Sequence, residues 1–75
     1  MSDHVRTRID EIAAPYHRGI ALDDLAYESG LRLVRVTIRE GHRYTMLDLD
    51  KPTAARLADA LRRWADESDA NPPAG

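Results

Sequence analysis

Three histidines, His4, His17 and His42, are the side chains best suited to bind a metal or carry a proton near neutral pH. No two stand three or four residues apart, as ligands on one helix face would, and the chain has no cysteine to complete a set. They read as solvated loop residues. Four carboxylates, Glu11, Asp23, Asp24 and Glu28, are the candidates for paired acid and base work. Asp23 and Asp24 are adjacent, so on a strand they point to opposite faces and cannot share a substrate. Charge pairing is the expected role: Asp24 falls opposite Arg35 and Asp48 opposite or diagonal to it, which predicts an Asp24–Arg35–Asp48 row across the sheet. No serine or threonine has a base at recognisable spacing, and the four glycines are scattered singly, so no phosphate-cradling loop exists. The expectation is a protein that is not an enzyme, with no metal and no cofactor.

Arginines give the remaining chemical signal. Arg32, Arg35, Arg39 and Arg43 against Glu40 leave +3 over residues 31–44, with His42 and Tyr44 interleaved. Guanidinium groups pair with phosphates and an aromatic ring stacks on bases, which is how a single-stranded nucleic-acid platform works. The neighbouring Asp23, Asp24, Glu28, Asp48 and Asp50 offset that charge. Over the whole chain, 11 Lys+Arg face 13 Asp+Glu for a net charge of −2, which argues against a dedicated nucleic-acid binder.

These residues are positioned by a short series of elements. From Leu31 to Glu40, Val34, Val36 and Ile38 alternate with Leu33, Arg35, Thr37 and Arg39, the period of a strand. From Arg43 to Asp50, Thr45, Leu47 and Leu49 alternate with Tyr44, Met46 and Asp48. Gly41 marks a two-residue turn, at Glu40-Gly41 or Gly41-His42, and either register puts Val34, Val36 and Ile38 on the face of Thr45, Leu47 and Leu49. Ser29-Gly30 reads as a second two-residue turn, making Ile20 to Glu28 a third antiparallel strand. That turn pairs Leu25 with Val34 and Tyr27 with Arg32. It places Leu25 and Tyr27 on the Val34 face, and Ile20, Leu22, Asp24 and Ala26 on the other.

Asp50 followed by Lys51-Pro52-Thr53 is a helix start. Ala54, Leu57, Ala58, Leu61, Trp64 and Ala65 then form an apolar stripe, expected to cover the Val34/Leu47 face. Burial there would contribute about 2 kcal/mol for each of Leu57, Leu61 and Trp64. Pro15 ends any helix in the N-terminal segment, and an extended edge segment is favoured over a helical stripe of Val5, Ile9 and Ile12. The expected fold is α+β: a three-stranded antiparallel meander with one C-terminal helix packed on one face, the N-terminal segment standing as an additional edge strand in the favoured reading. The expected domain is residues 9–67, with a flexible 1–8 and a disordered tail at 68–75, where Asn71, Pro72 and Pro73 have nothing apolar beside them. If residues 5–14 were instead helical, the element order would resemble a double-stranded RNA-binding domain, although its basic helix-opening cluster is replaced by Asp48 and Asp50.

At 75 residues with no cysteine, the chain must stabilise a small core without disulfides, and a partner chain is the natural addition. One helix covers one sheet face. The face left over presents Leu22, Leu33, Tyr44 and Met46 with Asp24, Arg35 and Asp48 among them, more apolar surface than a small monomer exposes. This is the candidate interaction face. A homodimer is the expected occupant, ahead of an unknown protein partner or the N-terminal segment with Ile9, Ile12 and Tyr16. The function expected is a protein-interaction module that self-associates through this face; the alternative is a nucleic-acid accessory protein using Arg32, Arg35, Arg39 and Arg43. No stretch suits a membrane span or a signal peptide, so a cytoplasmic protein is expected. Ten arginines to one lysine suggest a GC-rich bacterial source.

Tyr27-Glu28-Ser29-Gly30-Leu31-Arg32, Ile38-Arg39-Glu40-Gly41 with Arg43-Tyr44-Thr45, Leu47-Asp48-Leu49-Asp50 and Thr53-Ala54-Ala55 together resemble a family of short bacterial proteins, a domain of unknown function. The resemblance spans about residues 11–65. It implies no activity and no functional residue.

Overall fold

The computed structural model describes residues 4–67. Residues 1–3 and the tail expected at 68–75 lie outside them. The order of elements is β1 (His4–Ala14), β2 (Arg18–Tyr27), β3 (Arg32–Glu40), β4 (Arg43–Leu49) and α1 (Lys51–Asp66). The strands form one antiparallel meander in the order β1-β2-β3-β4. The sheet thus has four strands, not the three of the core expectation. The favoured extended reading of the N-terminal segment describes β1, which begins at His4, ahead of the residue-9 boundary. As β1 is a strand, the helix-first order of a double-stranded RNA-binding domain is ruled out.

The β3–β4 hairpin pairs Glu40 with Arg43 around Gly41-His42. Gly41 has φ 62° and His42 has no positive φ, the pattern of a two-residue turn with glycine first. Val34, Val36 and Ile38 lie opposite Leu49, Leu47 and Thr45, as the alternation predicts.

The β2–β3 connection corrects the expected faces. Gly30 N donates to Tyr27 O at 2.9 Å and Tyr27 N to Leu31 O at 2.9 Å, so Glu28-Ser29-Gly30 is a three-residue loop. A two-residue turn of the mirror-image type I form would hold Ser29 at positive φ; the three-residue form asks that only of Gly30, at φ 94°. One extra loop residue shifts the register by one and inverts the strand. Asp24, not Leu25, pairs with Val34, and Leu25 pairs with Leu33. Ile20, Leu22, Asp24 and Ala26 therefore share the face of Val34, Val36 and Ile38. Leu25 joins Leu33 and Arg35 on the other.

Strand β1 leads into β2 through the three-residue loop Pro15-Tyr16-His17. Tyr16 and His17 are at φ 64° and 61°, a left-handed conformation that costs a non-glycine residue about 1 kcal/mol or more each. The Arg18 guanidinium lies 5.9 Å from the Tyr16 ring centre. The ladder is regular except between Arg8, opposite Asp23, and Asp10, opposite Leu22, where Ile9 is an extra residue in a β-bulge.

Asp50 caps α1: its carboxylate accepts from Thr53 N at 2.9 Å and its carbonyl from Ala54 N at 2.9 Å. The expected start is correct; the expected packing is not. Ala54 is half-buried, but exposure rises along the stripe from 44% at Leu57 to 59% at Leu61 and 74% at Trp64. The helix touches the sheet in its first turn and then diverges. The molecule measures 50 × 30 × 15 Å, whereas the 11 residues of β1 span only about 36 Å. Among the described residues, Leu25 and Asp23 are the buried ones.

Candidate interaction surface

The charged face of the sheet carries one row across all four strands. Arg8 pairs with Asp23 in register, Asp23 with Arg35, and Arg35 with Asp48. Arg8 Nε donates to Asp23 Oδ1 at 2.7 Å, and Arg35 holds Asp48 with two bonds, Nε to Oδ1 at 2.8 Å and Nη2 to Oδ2 at 3.0 Å. A planar guanidinium facing a carboxylate edge-on gives this two-point geometry. The bond from Arg35 is the main cause that holds the Asp48 carboxyl below its ordinary value, and Asp48 in turn raises Arg35. The bond to Asp23 chiefly raises Arg8. Alternating signs and a buried second member make the row self-neutralising.

Beyond this row the face is floored by small residues, Ala13, Gly19, Ala21 and Thr37, and rimmed by Arg39, Tyr44 and Met46. The result is an open cleft of about 680 Å³. Gly19 sits opposite Arg39, whose Nη2 lies 3.2 Å from where a Cβ on Gly19 would stand, so glycine leaves room for the guanidinium close to β2. Arg39 makes no ion pair among the described residues.

The apolar face holds Ile20, Leu22, Val34 and Val36, half-buried in its middle. Its margins are open: Val5 is 67% exposed and Leu47 54%. The helix that should cover this face leaves it after one turn.

Of the expected interaction residues, Leu33, Arg35, Tyr44, Met46 and Asp48 do share the charged face. Leu22 and Asp24 lie on the apolar face instead, because of the register shift. Asp24 bonds Arg32, with Nε at 3.2 Å and Nη2 at 2.9 Å, in place of Arg35. The expected Asp24–Arg35–Asp48 row is therefore Asp23–Arg35–Asp48, extended by Arg8. The four arginines of the nucleic-acid reading divide: Arg35 and Arg39 stand on the charged face, Arg32 and Arg43 on the apolar one. Two of them, Arg32 and Arg35, are held by carboxylates.

The histidines are dispersed. His4 opens β1 with its ring 5.0 Å from that of Tyr27, His17 sits in the first loop, and His42 in the last turn. No group of three His, Cys, Asp or Glu able to hold a metal occurs among the described residues. Glu11 pairs with Arg8 at 3.0 Å, and Glu28 lies in the β2–β3 loop. No helix among the described residues is long and apolar enough to cross a membrane.

Sequence reasoning left Arg8 out of the row and placed Asp24 where Asp23 stands. The signal was present in the Ser29-Gly30 pair, since glycine second in a hairpin suits a three-residue loop better than a turn needing a left-handed serine.

A four-stranded meander with one trailing helix defines a small α+β domain with an open antiparallel sheet. A family model described as a family of unknown function (DUF6967) matches residues 3–67, and the chain belongs to that family. No curated protein and no solved structure matches it.

Proposed function

We propose that this chain is a non-catalytic interaction module that works in self-associated form. The observation that carries the reading is the apolar surface left open on both halves of the fold. Leu57, Leu61 and Trp64 of the helix stripe and Val5 and Leu47 at the margins of the apolar sheet face are each 44% exposed or more. Water contact at so many large apolar groups is a cost that association removes. Sedimentation equilibrium over a concentration series tests it. The expected mass is twice 8.4 kDa at micromolar concentration; a single 8.4-kDa species at every concentration ends the reading.

A second reading, binding of single-stranded nucleic acid on the charged face, draws support from Arg39 lying beside Tyr44 without a carboxylate partner among the described residues. The ion pairs at Arg32 and Arg35 weigh against it. Titration with a single-stranded DNA or RNA oligonucleotide would reveal it as salt-dependent binding lost in Arg39→Ala.

A further inference from the structure

We infer that the occupant of the apolar face is a second copy of this chain, in a reciprocal arrangement: α1 of each protomer lies on the β-sheet of the other, about a two-fold axis. This rests on the self-association reading and specifies its geometry.

The first argument is that the two open surfaces are of matching kind and belong to one chain. A foreign partner of the sheet would leave the helix stripe wet, and a partner of the helix would leave the sheet wet. Two copies related by a two-fold axis cover both at once, twice over, with the same patch contributed by each.

The second argument is the connection. Asp50 alone joins Leu49 to Lys51, and it is also the cap, bonded to Thr53 N and Ala54 N. A one-residue link engaged in capping fixes the direction in which the helix leaves. Folding α1 back along its own sheet would require opening that first turn. The rise in exposure from Ala54 through Leu57 and Leu61 to Trp64 follows that divergence.

The third argument is area. The chain exposes 6518 Å², whereas a compact protein of 8.4 kDa exposes about 4600 Å². The difference exceeds the ~800 Å² that each partner gives to a standard interface.

The test uses the full chain and two variants at positions already more than half exposed, Leu47→Asp on the sheet and Leu61→Lys on the helix. In the reciprocal dimer each variant alone damages both contacts. An equimolar mixture restores one contact fully, the unaltered helix of the sheet variant on the unaltered sheet of the helix variant. Its other contact faces Asp against Lys. Each variant alone should therefore lose at least tenfold in association, with circular dichroism unchanged, and the mixture should return to twice 8.4 kDa. A variant that stays dimeric alone, or a mixture that stays monomeric while the unaltered chain dimerises, overturns the arrangement and leaves self-association standing. An unaltered chain that is monomeric throughout overturns both. Mass that keeps growing with concentration points to an open chain of copies and also overturns it.

The absence of cysteine allows a second readout that does not depend on destabilising anything. Chains carrying Leu47→Cys and Leu61→Cys, mixed and oxidised, should cross-link to each other in preference to themselves. Self-linking of the Leu47→Cys chain would mean sheet-against-sheet stacking and would overturn the proposal.

Discussion

Asp23 accepts a 2.7 Å hydrogen bond from Arg8 while only 2% exposed, and its sequence neighbour Asp24 meets Arg32 on the opposite face of the same sheet. Two adjacent aspartates thus have unlike roles. Asp23 lies in register between Arg8 and Arg35, and losing it would leave two cations facing each other across a desolvated site. Asp23→Ala should lower stability by roughly 1–3 kcal/mol, as expected when a buried hydrogen-bonded group is removed. Asp24→Ala should cost at most about 1 kcal/mol, in the range of exposed ion pairs. Urea unfolding of both variants checks this. Equal costs, or the reverse order, would show that the β2 register is not as described.

Trp64 is the chain's one tryptophan and is 74% exposed in the single protomer. Its fluorescence should be that of a water-exposed indole in dilute solution and shift to shorter wavelength as concentration rises. The change should follow the same curve as the mass. Emission fixed at the water-exposed position across a range in which the mass doubles would mean that the helix stripe stays outside the interface.

Asp48 and Asp50 are both held below the ordinary carboxylate range, Asp48 chiefly by its bonds from Arg35 and Asp50 chiefly by Thr53. A carboxyl with a lower folded than unfolded pKa stabilises the fold above the unfolded value, about 3.9 for Asp. That contribution begins to fall as pH drops below the unfolded value and is gone once pH has passed below the folded one. The urea midpoint should therefore decline on acidification below about pH 4. Asp48→Asn should start lower at neutral pH and decline less steeply. A slope identical to that of the unaltered chain would mean that Asp48 does not contribute to the acid sensitivity.

The glycines separate by conformation. Gly30 at φ 94° should not tolerate a side chain, and Gly30→Ala should cost about 1–2 kcal/mol through backbone strain. At Gly19 a new Cβ meets the movable end of Arg39 at 3.2 Å, so Gly19→Ala should stay within about 0.5 kcal/mol. Thermal melting of the two variants reads the difference directly.

Much of this fold was legible in the residues, and what was not has identifiable causes. The β3–β4 hairpin could be read because period-two alternation gives the same faces in either two-residue turn around Gly41. Strand β2 could not, since a loop one residue longer inverts a strand while leaving its composition untouched. That single step moved Leu22 and Asp24 off the expected interaction face and hid Asp23. The helix start followed from Asp50 and Pro52. Its packing did not, because an apolar stripe says only that a helix needs a partner surface. Whether a one-residue link lets it reach its own sheet is a matter of geometry that spacing does not record.

The bulge at Ile9 has a consequence for how copies of this chain avoid associating. Strands β1 and β4 are the two edges of an open sheet, and an edge offers unpaired backbone groups to any other strand. At 11 residues β1 would be a long template, but the extra residue divides it into two ladder runs of five, His4–Arg8 and Asp10–Ala14. Arg6, Arg8, Asp10 and Glu11 add charge around the break. Removing Ile9 would leave the inward alternation of every other residue intact and straighten the border. The bulge therefore has its effect on the outside of the sheet: at the β1 border it works against strand-by-strand extension into fibres.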